Sequence, residues 1–167
     1  MPRWWMHAFR TTLILGTVCS PTPAQDSQLV LSSASSVPGG TVTLNLSLNT
    51  SATIAALQWT FIYSPAQITA LSVTADPAVL AAGKSISCAP SAGVHTCLAS
   101  GLNANPMTGG VIATVNVTVA SLTGFAPIRI SQTSGATPEA NAVAISHEGP
   151  PIFRTEQPLR PHHHRSN

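Results

Sequence analysis

The residues of this sequence that could do chemistry lie closest together in a short segment around two cysteines. Cys88 and Cys97 flank eight residues that include one proline, one glycine and His95. A spacer of this length and composition is typical of a β-hairpin, so we predict that the two cysteines form a disulfide that closes it. The alternative is a metal site made by Cys88, His95 and Cys97. Zinc would need a fourth ligand there, and no second Cys/His pair lies nearby in the sequence.

Carboxylates are too few in this chain to support acid–base catalysis. The sequence contains five of them: Asp26, Asp76, Glu139, Glu148 and Glu156. Only Asp76 and Glu139 lie well inside the predicted domain, whereas a glycosidase of the common type needs two carboxylates that flank the scissile bond. A Ser-His-Asp site would need His95 or His147, and the sequence has no Gly-x-Ser-x-Gly motif. We therefore predict no enzyme activity and interpret both histidines as solvated surface residues.

Other metal-ligand patterns in the sequence are weak. Calcium sites need clustered oxygen ligands, usually several carboxylates, and Asn103 and Asn105 are better explained as turn formers. Three consecutive histidines at 162–164 lie in the proline-rich segment 149–167, which we interpret as a disordered tail. We expect no metal function from them. Apart from the alternative at the hairpin, the sequence predicts neither a metal site nor a cofactor.

The low charge of the chain excludes two classes of partner. Lys and Arg number 7 and Asp and Glu number 5 among 167 residues, so charged residues make up 7%. An average soluble domain has about 25%. Nucleic-acid binding needs clustered Lys and Arg that neutralise phosphates, and adhesion to an anionic membrane needs a polybasic segment. The sequence offers neither, so we predict no nucleic-acid partner and no polybasic membrane contact.

The N-terminal segment 1–24 is predicted to be a secretory signal peptide. Arg3 and Arg10 precede a short apolar stretch, and Ala24 lies at the predicted cleavage site. The apolar stretch is far shorter than the ~20 residues that span a bilayer, so we predict no transmembrane segment. Lipidation at Cys19 is an alternative. We expect a protein that is secreted, periplasmic or on the cell surface, where disulfides form.

Residues 25–148 alternate between apolar and polar side chains in a way that predicts strands throughout. In residues 41–49 every second side chain is apolar, as in a strand with one buried face. Trp59, Phe61 and Tyr63 form a stripe of the same period, and we predict that these aromatic residues lie in the core. Many short strands joined by Gly/Pro/Asn turns predict an all-β domain, a two-sheet antiparallel sandwich.

Three segments of this domain resemble, in the same order, strands of bacterial cohesin domains. Residues 37–44 (VPGGTVTL) resemble the opening turn and strand of the family, and residues 56–68 (ALQWTFIYSPAQI) resemble its next strand and exit. Residues 110–117 (GVIATVNV) are similar to its late core strand. The resemblance implies a jelly-roll topology of about nine strands. It also implies a non-catalytic module that, in cellulosomes, binds a calcium-loaded dockerin on an enzyme.

The partner implied by this resemblance is a dockerin-bearing secreted enzyme linked to polysaccharide degradation. The alternatives are a carbohydrate-binding module for a polysaccharide, since the superfamily includes cellulose-binding modules, and a structural surface module without a dedicated ligand. Flat sugar-binding faces use exposed aromatic rings, whereas Trp59 and Tyr63 are predicted to lie in the core. The outward side chains of the same strand, Gln58, Thr60 and Ile62, offer a face for a protein partner instead. We expect a monomer.

Overall fold

The computed structural model describes residues 27–121 and 125–148, together with the backbone of residues 154 and 155. The predicted signal peptide, including Cys19, lies outside the described residues, as does most of the segment 149–167. The elements are β1 (Ser27–Leu31), β2 (Ser35–Ser36), β3 (Thr41–Thr50), β4 (Ala56–Tyr63), β5 (Ile68–Ala75), α1 (Pro77–Ala81), β6 (Ser85–Ser91), β7 (Val94–Ser100), β8 (Gly110–Val119), β9 (Ile128–Ala136), β10 (Ala142–Val143), β11 (Ser146–His147) and β12 (Arg154–Thr155).

The strands form two five-stranded sheets, which we call sheet 1 and sheet 2. Sheet 1 has the order β11-β1-β3-β8-β5, and sheet 2 has the order β10-β9-β4-β7-β6. All neighbouring pairs within these sheets are antiparallel except β1 and β11. The predicted all-β, two-sheet antiparallel sandwich is therefore confirmed.

The described residues form ten strands in the two sheets, where about nine were expected. The difference arises near the C-terminal end of the domain, where residues 142–147 form two short strands in different sheets. β10 pairs with β9 in sheet 2, and β11 pairs with β1 in sheet 1. Ile145 lies between them and is buried. Because the chain crosses between sheets here, its one large apolar side chain enters the core.

The alternating pattern of the sequence becomes the two sides of each sheet. Along β3 the four residues Val42, Leu44, Leu46 and Leu48 are buried, while their polar neighbours face outward. The core between the sheets is filled mostly by aliphatic side chains, and its largest members are aromatic residues of β4.

The three aromatic side chains of the stripe on β4 differ in how deeply they are buried. Trp59 and Phe61 are fully buried, with ring centroids 6.4 Å apart and planes at 75°, which is an edge-to-face contact. Tyr63 at the strand end is only partly buried and packs against the edge of the core. The burial of Trp59 bears directly on which ligands a sheet face of this domain could bind.

A single short helix, α1, interrupts the strands. Asp76 caps α1, because its carboxylate accepts a hydrogen bond from the Ala78 amide at 3.0 Å. Pro77 occupies the first turn, where its missing N–H costs nothing. Val79 is buried and anchors the turn on the core.

The C-terminal segment contributes one short pairing to the described structure. β12 lies parallel to β2, with Arg154 opposite Ser35 and Thr155 opposite Ser36. These two residues belong to the segment 149–167 that we interpret as a tail. Within the described residues, no helix has both the length and the apolar character that a membrane crossing requires.

Candidate functional site

The outer face of sheet 1 is covered by short hydroxyl and amide side chains that bond to one another. Thr41 on β3 lies opposite Thr118 on β8, with their hydroxyl oxygens 3.0 Å apart. The next pair places the Thr43 hydroxyl 2.8 Å from the Asn116 side-chain oxygen, to which it donates. These two cross-strand pairs satisfy one another, and none of the large exposed apolar side chains of the described residues lies on this face.

The outer face of sheet 2 has a different composition. Its outward side chains are Gln58, Thr60 and Ile62 on β4; Val94, Thr96 and Leu98 on β7; and Arg129, Ser131, Gln132 and Ser134 on β9. Seven large apolar side chains are exposed among the described residues, and three of them (Ile62, Val94 and Leu98) lie on this face. The other four lie in turns, loops or α1 and none on the outer face of sheet 1, so of the two sheet faces only that of sheet 2 carries large exposed apolar side chains.

The centre of this face is held by a hydrogen-bonded group around Thr60. The Thr60 hydroxyl lies 3.0 Å from the Thr96 hydroxyl and 3.4 Å from the side-chain oxygen of Gln132. Gln132 has φ 48°, and the pairing of β4 with β9 shifts register at this point, which is the pattern of a β-bulge. The bulge turns an additional side chain outward and leaves Thr60 almost fully covered by its neighbours.

The two ends of the face differ from its polar centre. At one end Ile62 lies opposite both Val94 and Arg129, which places an apolar pair beside a cation. Arg129 is the one charged residue that the described residues place on this face. At the other end Leu98 lies opposite Gln58 beside a shallow depression of about 200 Å³. The depression is lined by Ala56, Leu57, Gln58, Leu98, Ser134, Gly135 and Ala136.

The two cysteines lie on the inner side of the same sheet, in the hairpin of β6 and β7 that we call the cysteine hairpin. Cys88 on β6 lies directly opposite Cys97 on β7, and the two form a disulfide with a Cα–Cα distance of 4.1 Å. The intervening turn is tight, and Gly93 occupies it with φ +75°, in the left-handed region that favours glycine. The disulfide therefore joins the edge strand β6 to the interior of sheet 2.

The interpretation of His95 as a solvated surface residue is wrong. β7 begins at Val94, so His95 is the first inward-facing residue of the strand rather than part of the loop, and it is only 6% exposed. It lies opposite Phe61. Its Nδ1 atom is buried and has no hydrogen-bond partner among the described residues. Burial lowers the pKa of His95 below its ordinary value, because a charged imidazole is poorly solvated there.

The remaining sequence candidates serve the fold or lie apart. His147 is exposed on β11, and Glu139 is exposed in a turn. Asn103 makes a local turn, since its side-chain oxygen accepts from the Asn105 amide at 3.1 Å. The structure brings none of these together with the hairpin cluster among the residues that it describes.

Sequence reasoning missed Lys84, the one lysine of the chain. Its side chain is only 3% exposed, and its ammonium group donates to the backbone oxygen of Asn103 at 2.7 Å. The Asn103 amide in turn donates to the Gly83 carbonyl at 3.1 Å, so the two residues bind the start of β6 to the loop after β7. A lysine next to Gly83 in an otherwise uncharged segment was the available signal.

The fold is a sandwich of two packed sheets, and one of its two outer faces carries more exposed apolar side chains than the other. The family comparison is more specific. The family model described as "Cohesin domain" matches residues 27–148. The chain belongs to the cohesin domain family, a family of non-catalytic protein-binding modules, and the resemblance predicted from three segments is confirmed.

Solved cohesin structures share the fold at low sequence identity. The sixth cohesin of Acetivibrio cellulolyticus scaffoldin B, in complex with a Cel5 dockerin, is 19% identical with a TM-score of 0.67, covering 78% of this chain and 99% of that one. The Clostridium thermocellum OlpA cohesin, in complex with a dockerin, is 15% identical with a TM-score of 0.68 and the same coverage. A non-cellulosomal cohesin from Archaeoglobus fulgidus is 12% identical, with a TM-score of 0.66 and coverages of 85% and 99%. Among curated proteins, none matches the chain.

Proposed function

We propose that this protein is a secreted, non-catalytic cohesin module that binds a dockerin-type protein partner through the outer face of sheet 2. The observation that carries this proposal is the concentration of exposed apolar side chains on that face. Ile62, Val94 and Leu98 are 42%, 38% and 42% exposed, and all three belong to the paired strands β4 and β7. Ile62 and Val94 lie opposite each other across β4 and β7, and contiguous apolar surface of this kind is a candidate for a protein interface.

The likeness to known complexes supports the class of partner. The Acetivibrio cellulolyticus and Clostridium thermocellum cohesins are in complex with dockerins. The Archaeoglobus fulgidus cohesin is described as non-cellulosomal, so a cohesin fold also occurs outside cellulosomes. We infer that the partner here is a dockerin-bearing protein, of which a polysaccharide-degrading enzyme is the expected cargo.

Sheet 2 is favoured over sheet 1 because of what each face would gain from contact. Burial of apolar surface contributes roughly 25 cal/mol per Å², and sheet 2 offers that surface at Ile62 and Leu98. Covering sheet 1 would instead remove water from paired hydroxyl and amide groups such as those of Thr43 and Asn116, and it would bury little apolar surface in exchange. A partner with an apolar ridge and an acidic group near Arg129 would match sheet 2 best.

Two alternatives have weaker physical support. A polysaccharide-binding face would need exposed aromatic rings, and Trp59 is fully buried while Tyr63 lies at the core edge. A structural module without a ligand leaves the exposed apolar groups of sheet 2 unexplained. The proposal includes secretion through the predicted signal peptide. It also includes a monomeric state, because a single sheet face is enough to bind one partner.

The experiment is a capture assay with matched charge variants. Full-length protein with the disulfide formed is immobilised and exposed to culture supernatant of the source organism, with calcium and then with a chelator. Leu98→Asp places a carboxylate in the proposed interface, and Asn45→Asp places one on the outer face of sheet 1 as the control. We expect a retained protein with a calcium-binding dockerin repeat, released by the chelator.

The variants decide between the faces. Leu98→Asp should weaken binding of the purified partner about 30-fold, which is the loss typical of an interface residue that carries much of the binding energy, while Asn45→Asp leaves it unchanged. Equal loss in both variants, or loss in Asn45→Asp alone, would place the interface elsewhere. The absence of any retained dockerin protein, combined with binding to a polysaccharide array, would replace the proposal with the carbohydrate alternative.

A further inference from the structure

The cysteine hairpin holds three metal-ligating residues in one place on the inner side of sheet 2. We propose that Cys88, His95 and Cys97 form a redox-gated site for a thiophilic metal cation such as Zn²⁺. The disulfide is the closed state of this site, and its reduction frees the two sulfurs to act as ligands. This proposal is independent of dockerin binding, because it uses the opposite side of the sheet.

The strand register brings the three ligands together. Cys88 lies opposite Cys97 across the β6–β7 pair, and His95 lies two residues before Cys97 on the same side of β7. One ligand atom from each residue lies within 4.8 Å of the others. Ligands at the zinc distances of about 2.0–2.3 Å lie about 3.6 Å apart in a tetrahedral shell. Reduction would let the two bonded sulfurs move apart to this distance, and the histidine nitrogen would move closer to them by up to about 1 Å.

The unpaired ring nitrogen of His95 is an independent observation that points to a bound ligand. Its Nδ1 atom is buried without a hydrogen-bond partner among the described residues, although the side chain is only 6% exposed. A buried polar atom left unpaired costs free energy, so native structures rarely keep one without a purpose. A metal ion bound at this nitrogen would satisfy it.

The site opens when a thiol reductant reduces the disulfide. Two thiols, or one dithiol, reduce the Cys88–Cys97 bond to two protein thiols and are themselves oxidised to a disulfide. Binding of the cation then releases the two thiol protons to water and leaves two thiolates on the metal. Three protein ligands leave the fourth tetrahedral position to a water molecule.

Charge and access favour this arrangement. Two thiolates and one neutral imidazole around a divalent cation carry no net charge, so the complex can lie in an apolar interior at modest cost. Cys97 is fully buried, but Cys88 is partly exposed on the edge strand β6. A cation can therefore reach the ligands from the sheet edge without passing through the core.

Cobalt(II) titration of the full chain tests this site. All samples carry Cys19→Ser, so that the thiols are those of the hairpin. Thiolate-to-cobalt charge-transfer absorption reports cysteine ligation and is silent for the histidines at 162–164. We expect this absorption in the reduced protein, none in the oxidised protein, and displacement of the cobalt by Zn²⁺.

Variants identify the third ligand. His95→Asn should weaken cobalt binding at least about tenfold, while His147→Asn, which replaces an exposed histidine, leaves it unchanged. Cys88→Ser keeps His95 and should abolish the two-thiolate spectrum. Cobalt binding that is equal in His95→Asn and the parent, or absent from a reduced protein, would overturn the proposal. Loss of the native fold on reduction would overturn it as well, because the ligand set exists only in the folded hairpin.

Discussion

The disulfide makes a contribution to stability that can be calculated from its position in the chain. Cys88 and Cys97 are 9 residues apart in sequence. In the chain-entropy model, a closed loop of this length stabilises the folded state by about 2.6 kcal/mol at 25 °C, because the bond restricts the denatured chain. We therefore expect the double variant Cys88→Ala/Cys97→Ala to lose about 2.6 kcal/mol of its free energy of unfolding.

The same number converts to a melting temperature. A domain of about 120 residues gains roughly 250 cal/mol/K of entropy on unfolding, so the loss corresponds to a decrease of about 10 °C. Typical domains have 5–15 kcal/mol of stability, so the variant should remain folded at 25 °C. This expectation also underlies the metal site, which needs a hairpin that stays folded after reduction.

The assay is urea denaturation followed by far-ultraviolet circular dichroism, for the double variant and for the parent protein with and without a thiol reductant. The reduced parent should match the double variant within about 1 kcal/mol, since both lose the same constraint. The reduced parent is the control for packing, because it keeps the fully buried Cys97 sulfur that alanine removes.

Two results would refute this reasoning. A loss below about 1 kcal/mol would mean that the denatured segment already holds the hairpin closed without the bond. A double variant that falls far below the reduced parent would mean that the cavity at Cys97, and not the loop constraint, dominates the effect.

Three further perturbations test separate features of the fold by denaturant or thermal unfolding. Gly93→Ala should lose about 2 kcal/mol or more, since its Cβ would lie 2.7 Å from the Tyr63 oxygen at φ +75°; Gly39→Ala, at φ +77° and facing only the end of a serine side chain, should lose about 1 kcal/mol. Asp76→Ala should lose about 1 kcal/mol through the missing helix cap, and Asp76→Asn much less. The lowered pKa of His95 means that its neutral form stabilises the folded state fully above pH ~6.5, and that this stability is lost as the pH falls through the lowered folded pKa. His95→Asn should therefore flatten the acid side of the oxidised protein's stability curve, and equal acid loss in the variant would contradict the assignment.

Period-two patterning predicts most of this fold because each strand has one buried side. The apolar positions of β3 and the stripe on β4 lie inward as the alternation requires, with Trp59 and Phe61 fully buried. The two short strands β10 and β11, which lie in different sheets, could not be predicted in this way. A chain that changes sheets keeps its alternation, and only the pairing partners distinguish a crossing from a continuous strand.

The environment of His95 shows where a local pattern is insufficient. A histidine close to a Pro/Gly turn is usually solvated, and the prediction followed that rule. The two-residue turn at Ala92 and Gly93 is shorter than the spacer suggested, so β7 begins early and takes His95 inside. The unpaired nitrogen that motivates the metal site is a property of tertiary packing, which the sequence does not encode locally.

The scarcity of charge in this chain leaves little in the sequence that distinguishes the two outer faces. Because charged residues make up only 7% of the chain, the domain must solvate both sheets with hydroxyl and amide groups, and the polar half of the alternation looks alike on either side. The difference lies in how those groups are used. On sheet 1, pairs such as Thr41 with Thr118 satisfy one another. On sheet 2, the side-chain hydrogen bonds centre on Thr60 next to the bulge at Gln132, and apolar side chains lie at both ends of the face. A complex on that face must draw its affinity mainly from a few apolar contacts and little from charge, so single substitutions there should matter more than ionic strength.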